Sequence, residues 1–377
     1  MDIKLLRRIG ARLAVAVTTA AILALAGCSS TPPGAESTDS TDVLGGSLAH
    51  PKSRWVPVAW SDLPGFDDRA VAQGWGVMLT NCMRPNAAIA PLCDDLRNLT
   101  LASASEQRAW LAAHWQPYRI ESLSGQRQGL LTSYFEPVFT AMRTRRGAFT
   151  VPLYTPPADL TERPRWFTRQ QIETLPQVQA ALSGHEIAWL ADPIDAMMLH
   201  IQGSGRLLLT EPDGTQRTVR LRYAGTNDQP YRSITQWLRA QGVTRIAPWP
   251  DAVKVWAAQN PQRVDQLLWS NPRYVFFQEQ PLSGADFSEG PTGAQGVPLT
   301  AGRSIAVDRA SIPYGTPVWL VSNGALRLQK LVVAQDTGSA ITGAVRADYF
   351  AGTGAEAGRL AASINQPLYL WVLWPKQ

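Results

Sequence analysis

Apolar residues follow helical spacing in two early segments of the chain and strand spacing through most of the remainder. The early segments, residues 68–82 and 105–115, predict helices, and a capping box formed by Ser103 and Glu106 opens the second one. Short apolar runs bounded by turn residues predict strands. These strands are expected at 130–135, 196–202, 207–210, 218–223, 274–278, 304–307, 317–321, 326–334 and 368–373.

Turn and cap residues predict further elements. Asp213 and Gly214 predict a tight hairpin turn between two of the strands. Further helices are expected at 169–182, 233–242 and 260–272. From residue 273 onward the pattern predicts only β structure, and short strands without helices between them favour a barrel or a sandwich.

The first 27 residues have the pattern of an export signal. Basic residues precede an apolar run over 13–26 that is too short for a membrane span of about 20 residues. The run ends in the sequence LAGC at Cys28, which resembles the bacterial lipoprotein signal, in which the cysteine is acylated. Ser29 then implies the outer membrane, with the protein facing the periplasm; an ordinary signal peptide with a chance cysteine is the alternative. Residues 28–51, rich in Ser, Thr and Pro, predict a flexible tether.

Composition and charge narrow the class of protein. The 377 residues exceed the size of an ordinary single core and predict two domains. Hydrophobic residues make up 45% and charged residues 17%, which excludes a disordered acidic chain, a coiled coil and a collagen-like fibre. The net charge of +5 falls to +2 without residues 1–27, so no nucleic-acid partner is expected.

Cysteines and histidines bear on covalent and metal chemistry. With Cys28 lipidated, Cys82 and Cys93 remain in an oxidising compartment. A disulfide between them is expected, and two buried thiols are the alternative. The four histidines show no spacing typical of zinc ligands, so we expect no metal and no cofactor.

Three aspartates in the C-terminal β region carry the candidate chemistry. We expect Asp308, Asp336 and Asp348 each at a strand end or turn. Cleavage of a glycosidic bond needs an acid that protonates the leaving oxygen, and carboxyls held together in a partly dry cleft raise one another's pKa. A glycine-rich turn between Asp336 and Asp348 can bring these two together. Turn capping by each aspartate is the structural alternative.

Several motifs, in order along the chain, resemble those of one family. Similarity to the three-aspartate domain lies in the segments SIAVDR (304–309), VAQDTGSAITG (333–343) and ADYF (347–350). Similarity to the membrane-bound lytic murein transglycosylase A family lies in the segments SYFEP (133–137), HIQGSG (200–205) and YAGTN (223–227). The resemblance extends over about residues 52–375.

This resemblance implies a mainly β fold. It would consist of a double-psi β-barrel, similar to one class of cellulases and to expansins, with a smaller inserted β-rich domain and several peripheral α-helices. Glycan would lie in the groove between the two domains. The implied parts are a signal peptide (1–27), a lipidated cysteine with its tether (28–51), a discontinuous barrel domain (52–136 and 271–377) and the inserted domain (137–270).

The resemblance also implies an activity. The enzyme would cleave the β-1,4 bond between N-acetylmuramic acid and N-acetylglucosamine in peptidoglycan and leave 1,6-anhydro ends, with one aspartate acting as acid and then as base. In the family this aspartate belongs to a His-Phe-Asp segment, whereas Arg346 and Ala347 precede Asp348 here. Asp348 is the expected catalytic residue, Asp336 is expected to assist it, and Asp308 is expected to support the barrel.

The expected substrate-binding residues come from the same motifs. They are Tyr134, Gln202, Gly203, Ser204, Tyr223 and Thr300. A core ring with a hydrogen-bonded hydroxyl is an equal alternative for each tyrosine. The expected partners are peptidoglycan glycan strands and the outer membrane, cell-wall synthases or scaffolds are further candidates, and the chain is expected to be a monomer.

Three other functions fit parts of the sequence. Residues 336–339 spell the aspartic-protease signature, but that mechanism needs a second aspartate and the chain holds no second Asp-Thr-Gly. An inverting hydrolase needs two carboxyls about 6.5–9.5 Å apart with room for a water, which would give Asp336 a direct part beside Asp348. A non-catalytic wall-binding module shares the barrel and its aspartate, and the sequence does not exclude it.

Overall fold

A computed structural model describes residues 46–162, 164–243 and 251–376, and the strands in these residues form two sheets. The strands are β1 (Leu48–Ala49), β2 (Ser53–Pro57), β3 (Trp115–Ser122), β4 (Gly129–Glu136), β5 (Val138–Met142), β6 (Val151–Tyr154), β7 (Glu186–Leu190), β8 (Gly205–Thr210), β9 (Gln216–Thr226), β10 (Val275–Pro281), β11 (Ser304–Val307), β12 (Thr316–Asn323), β13 (Arg327–Asp336), β14 (Arg346–Thr353) and β15 (Asn365–Pro375). The predicted signal peptide, Cys28 and most of the predicted tether lie outside the described residues.

Helices surround both sheets. In the described part of the chain they are α1 (Asp68–Asn81), α2 (Cys93–Asn98), α3 (Ala104–His114), α4 (Arg169–Thr174), α5 (Pro176–Leu182), α6 (Pro193–Gln202), α7 (Ile234–Ala240), α8 (Asp251–Gln259), α9 (Val264–Trp269) and α10 (Gly354–Ser363). Short 3-10 helices cover Trp60–Asp62, Ala90–Leu92, Leu99–Leu101, Pro261–Arg263 and Gly284–Phe287. None of the helices in these described ranges has the length and hydropathy needed to span a bilayer.

The first sheet closes into a barrel. Its strand order is β1-β2-β3-β15-β12-β13-β11-β14-β4, and β4 pairs back onto β15, with Thr132 opposite Asn365. Two of the pairings in the resulting ring, β11 with β13 and β14 with β4, are parallel. Inward-pointing side chains such as Ile305, Val332 and Tyr349 fill the barrel. This closed barrel confirms the predicted mainly β fold class and is consistent with a double-psi β-barrel.

A second core lies between the outside of the barrel and the N-terminal helices. Trp75 and Met78 of α1 pack with Trp319 of β12 and Leu331 of β13. A disulfide joins Cys82 and Cys93, whose Cα atoms are 5.6 Å apart, and so connects the end of α1 to the start of α2. Large aromatic side chains therefore stabilise the framework of this domain rather than its surface.

The second sheet has the order β10-β9-β8-β5-β7-β6. The chain leaves the barrel strand β4 through Pro137, builds this sheet, and re-enters the barrel at β11. The hairpin predicted at Asp213 and Gly214 joins β8 to β9 in antiparallel register. Strand β10 belongs to this sheet and continues it past residue 270, the expected end of the inserted domain, and the domain boundaries remain a prediction.

Buried ion pairs tie the second sheet to the barrel. Glu136, fully buried at the end of β4, accepts hydrogen bonds from Nε of Arg206 (2.8 Å) and Nε of Arg220 (2.7 Å). The hydroxyl of Thr353 on β14 donates to the same carboxylate at 2.7 Å. Both arginines also donate to the carbonyl of Glu289. Because both arginines bond to the one Glu136 carboxylate, the cluster holds β8 and β9 at a defined position beside β4.

The segment 196–202 is a helix, and the prediction of a strand there is wrong. The Asp192 carboxylate accepts the N–H of Ile194, and Pro193 occupies the first turn of α6. Gly203, at φ 79°, ends the helix in the left-handed conformation. The apolar run fits a buried helix as well as a strand, so the caps at its two ends decide its conformation.

The expectation of only β structure after residue 273 is also wrong, at α10. Ala357 and Ala361 on one face of α10 pack against Phe135 of β4 and Met198 of α6. The helix thus covers the barrel next to the second sheet. The predicted helix over 169–182 is divided into α4 and α5, because Pro176 begins a new helix directly after Leu175.

Candidate active site

One face of strand β4 carries three polar side chains that organise the site. Thr132, Tyr134 and Glu136 alternate along the strand and therefore point to the same side. The hydroxyl of Thr132 donates to Oδ1 of Asp348, and the hydroxyl of Tyr134 donates to Oδ2 of Asp336 at 2.7 Å. Since Glu136 holds the second sheet, a single strand contacts both aspartates and fixes the second sheet beside the barrel.

The register of β11 places the two aspartates on either side of one residue. Ala306 pairs with Asp348 of β14 and with Asp336 of β13, so the two Cα atoms are separated by two strand spacings, about 9.6 Å. The neighbours of Asp348, Ala347 and Tyr349, fill the barrel, so Asp348 points outward. Asp348 lies within β14 rather than at the predicted strand end or turn, and Asp336 is the last residue of β13.

Asp348 combines a raised pKa with an uncommitted oxygen. Burial raises its pKa, the hydrogen bond from Thr132 and the charge of Arg346 oppose that rise, and the charge of Asp336 adds to it. A guanidinium NH2 of Arg346 also donates to Oγ1 of Thr132 at 2.7 Å, so the arginine holds the hydroxyl that donates to the carboxyl. Oδ2 of Asp348 accepts no hydrogen bond from any residue that the structure describes.

Asp336 has both of its oxygens engaged. Oδ2 accepts from Tyr134, and Oδ1 accepts from the N–H of Ala294 at 3.0 Å. Burial raises the pKa of Asp336 against these hydrogen bonds, and burial followed by the Asp336 charge holds the pKa of Tyr134 well above its usual value. No hydrogen bond joins Asp336 to a second carboxyl of the described residues, so it does not form the shared-proton pair of an aspartic protease.

Asp308 stands apart from the cleft. It follows β11 and accepts from Nζ of Lys52 (2.8 Å) and from the N–H groups of Gly343 (2.9 Å) and Ala310 (3.0 Å). Partial burial would raise its pKa, but these donors lower it overall. The contacts connect the chain before β2 with the turns after β11 and before β14, which is the geometry of a structural support.

A cavity of about 290 Å³ opens beside Asp348, between the barrel and helices α6 and α7. Two of the six expected substrate-binding residues, Tyr134 and Gln202, line it. Oε1 of Gln202 accepts the N–H of Phe135, which fixes the end of α6 to β4. The other four lie outside this lining: they are Gly203, Ser204, Tyr223 and Thr300.

Each of these four residues has a different place in the fold. Gly203 and Ser204 form the connection from α6 to β8. Tyr223 is an exposed residue of β9, paired with Phe277 of β10. The N–H of Thr300 donates to Oγ of Ser304, so Thr300 belongs to the turn that leads into β11.

Sequence reasoning missed Thr132, Arg346 and Tyr231 as parts of the site. All three line the cavity together with Asp348. The alternation of polar residues at 132, 134 and 136 within a predicted strand was the available signal for Thr132. Among the described residues there is no group of three or more Asp, Glu, His or Cys placed to hold a metal ion.

Comparison with known proteins assigns this chain to a family. The model of the MltA specific insert domain matches residues 130–278, and the model of the 3D domain matches residues 303–374. Membrane-bound lytic murein transglycosylase A of Escherichia coli K12 is 34% identical over 253 residues, which is 64% of this chain and 64% of that protein. The Vibrio cholerae protein of the same name is 32% identical over 267 residues, 66% of this chain and 67% of its own length. The chain belongs to the membrane-bound lytic murein transglycosylase A family.

A solved structure supports the assignment to the lytic murein transglycosylase A family over more of the chain. Lytic transglycosylase LtgG of Burkholderia pseudomallei is 39% identical, covers 89% of this chain and 98% of its own, and superposes with a TM-score of 0.59. The two family models meet at the cleft. The insert-domain match begins in β4 and includes the second sheet, and the 3D match carries all three aspartates. The predicted family is confirmed.

Proposed function

We propose that this chain is a lytic transglycosylase that cleaves the β-1,4 bond between N-acetylmuramic acid and N-acetylglucosamine in peptidoglycan. The observation that carries the proposal is the Asp348 carboxyl, with its raised pKa and one free oxygen, in the wall of a cavity. A carboxyl with a raised pKa keeps its proton to higher pH than an ordinary aspartate, and in that form it can donate to the oxygen of a glycosidic bond. The names of the aligned relatives support the same reaction class.

One carboxyl performs both proton transfers in this scheme. Protonated Asp348 gives its proton to the glycosidic oxygen as the bond from C1 breaks. The resulting carboxylate takes the proton of the C6 hydroxyl of the same muramoyl residue while that oxygen bonds to C1. The products are a 1,6-anhydromuramoyl end and a free 4-hydroxyl on N-acetylglucosamine, the carboxyl is regenerated, and no water is consumed.

The surroundings of Asp336 favour this scheme over hydrolysis. An inverting hydrolase uses a second carboxylate to activate water. Each oxygen of Asp336 already accepts one hydrogen bond, from Tyr134 or from the N–H of Ala294, which reduces the capacity of this carboxylate to bind and activate a water. We therefore assign Asp336 an assisting role, in which its charge raises the pKa of Asp348 further and its oxygens orient Tyr134.

Products from purified sacculi test this function. Mass spectrometry of material released by the full chain is expected to show anhydro ends, and reducing ends instead would identify a hydrolase. Asp348→Asn is expected to bind sacculi without releasing muropeptides. If the wild-type chain binds sacculi and releases nothing, it is a wall-binding module and the proposal fails.

We also propose that Cys28 carries a lipid that anchors the protein to the outer membrane on its periplasmic side. The lipoprotein-like LAGC sequence supports this, as does the membrane-bound designation of the relatives. A Cys28→Ala variant is expected to remain unprocessed or to become soluble. Unchanged partition into the outer-membrane fraction would contradict the anchor.

A further inference from the structure

A second cavity adjoins the one that contains Asp348. Its volume is about 610 Å³, and Tyr231 and Ala340 line both cavities. Tyr231 lines the first cavity together with Asp348, and burial and the charge of Asp348 raise the pKa of Tyr231 against the effect of a hydrogen bond with Ser233. The two cavities therefore form one continuous groove, which leads from the proposed acid past Tyr231 to helix α7.

Arg232 is the charged residue of the second cavity. Its side chain is exposed and donates no hydrogen bond to any residue that the structure describes. Its backbone, in contrast, is held, because the N–H of Arg232 donates to Oδ1 of Asn271, a buried side chain, at 3.2 Å. The base of the side chain is thus fixed, while no described residue occupies the guanidinium donors, which can therefore bind a ligand.

The remaining wall is polar and aromatic. Ser233, Gln236 and Ser270 contribute hydroxyl and amide groups, and Trp237 contributes an indole. The guanidinium of Arg263 lies over the Trp237 ring, 5.5 Å from its centroid, which adds positive charge behind this wall. Asp348 is the only carboxylate among the described residues that line either cavity. The second cavity therefore suits an anionic, hydrogen-bonding group.

The proposed substrate carries such a group next to its reacting atom. N-acetylmuramic acid has a lactyl ether on O3, which ends in a carboxylate or continues into a peptide that bears carboxylates. The muramoyl residue that reacts at C1 must lie against Asp348, so its O3 substituent begins within one sugar ring of the acid. We propose that the second cavity binds this substituent and that Arg232 pairs with one of its carboxylates. This inference rests on the proposed function.

The experiment compares Arg232→Gln with Arg239→Gln in the full chain. Arg239 is also exposed and lies on helix α7, which begins two residues after Arg232, but it does not line either cavity. For peptide-bearing glycan strands, Arg232→Gln is expected to lower kcat/KM about three- to tenfold, the range for one charge-assisted contact at a partly exposed site. Arg239→Gln is expected to leave kcat/KM unchanged. No loss with Arg232→Gln, or an equal loss with Arg239→Gln, would overturn the proposal.

Binding measurements separate this inference from the proposed reaction. In an Asp348→Asn background, Arg232→Gln is expected to weaken binding of peptide-bearing strands and to leave binding of chitohexaose, which has no lactyl group, unchanged. An equal loss for chitohexaose would overturn the inference, because it would show a general effect on the groove. A wild-type chain that forms no anhydro ends would contradict the reaction, whereas this binding comparison would still be measurable.

Amidase-treated strands identify the source of the carboxylate. Such strands keep the lactyl group and lose the peptide. If Arg232→Gln still weakens binding to them, the lactyl carboxylate is the partner. If the effect occurs only with peptide-bearing strands, the partner is a carboxylate of the peptide.

Discussion

The cleft around Asp348 and the turn around Asp308 hold the same side chain in opposite surroundings. Asp308 accepts hydrogen bonds from one lysine and two backbone N–H groups, and these donors lower its pKa. Burial raises the pKa of Asp348, and its hydrogen bond from Thr132 only partly offsets this rise. A carboxylate surrounded by donors stabilises a fold, whereas a carboxyl with few donors in a cavity keeps a proton that it can transfer.

The largest expected difference between the two aspartates is in turnover. Asp348→Asn is expected to reduce the rate of anhydro-muropeptide release by about 100- to 10,000-fold, the usual contribution of general acid–base catalysis. Asp308→Asn removes a group that does not line the cavity and is expected to keep the rate within a few-fold. Release assays on purified sacculi measure both variants. Similar losses for the two would contradict the division of roles.

The two aspartates are expected to change the free energy of unfolding in opposite directions as the pH rises. The lowered pKa of Asp308 stabilises the fold above its unfolded pKa of about 3.9, and this contribution is lost as the pH falls through the folded value. Asp308→Asn is therefore expected to lower the free energy of unfolding by about 1–2 kcal/mol at pH 7, with a difference that shrinks in acid.

The raised pKa of Asp348 has the reverse effect. The wild-type fold loses stability as the pH rises from about 3.9 through the raised folded pKa, because ionisation costs more in the cleft than in the unfolded chain. Asp348→Asn is expected to be more stable than wild type at pH 7, with a gain that vanishes in acid. Urea unfolding from pH 3 to pH 8 measures both variants, and a stability change of the same sign for both would reject the comparison.

Removal of the Thr132 hydroxyl is expected to raise the pKa of Asp348 and so to widen its difference from the pKa of Asp308. Thr132→Val removes the hydrogen bond that lowers the pKa of Asp348, so the falling limb of the kcat/KM profile, where the acid loses its proton, is expected to move to higher pH. At the wild-type optimum kcat/KM is expected to fall roughly tenfold. Thr80→Val, which removes a hydroxyl bonded within α1, is the matched control. An unmoved limb would show that Thr132 does not tune the acid.

The smallest expected effect concerns Lys52, the side-chain partner of Asp308. Lys52 is half exposed, so Lys52→Met is expected to lower the free energy of unfolding by only about 0.5 kcal/mol and to leave turnover unchanged. Since an exposed ion pair is screened by salt, the difference should shrink in 1 M salt, where the Debye length is about 3 Å. A loss of turnover would place Asp308 within the catalytic machinery.

Local chemistry allowed much of the fold to be predicted. The hairpin at Asp213 and Gly214 and the helix capped by Ser103 both depend on residues within a few positions of one another, and both occur as expected. Helix α6 was mispredicted because its buried apolar run fits two periods, although Asp192 and Gly203 at its ends carried the missing signal. The strand that contains Asp348 was missed because polar residues interrupt its apolar pattern.

The candidate site, like the fold, could be predicted from the sequence only in part. Spacing and motif resemblance identified the three aspartates, Tyr134 and Gln202. The partners of Asp348 were not identified, because Thr132 is 216 positions away along the chain and reaches it only through the parallel pairing of β4 with β14. Four of the expected binding residues lie outside the cavity, because a motif shows that residues are close in sequence but not which way their side chains point.

The sequence by itself determined many of the elements, the family and the identity of the acidic residues, because these depend on short-range periodicity and on residue type. Only the tertiary structure decided that Asp348 and Asp336 have raised pKa values, that both oxygens of Asp336 accept hydrogen bonds and that Asp308 supports a turn. Burial and hydrogen bonding set a pKa, and both arise where strands distant in sequence are brought side by side. The continuous groove from Asp348 to Arg232 likewise exists only where the barrel meets helices α6 and α7.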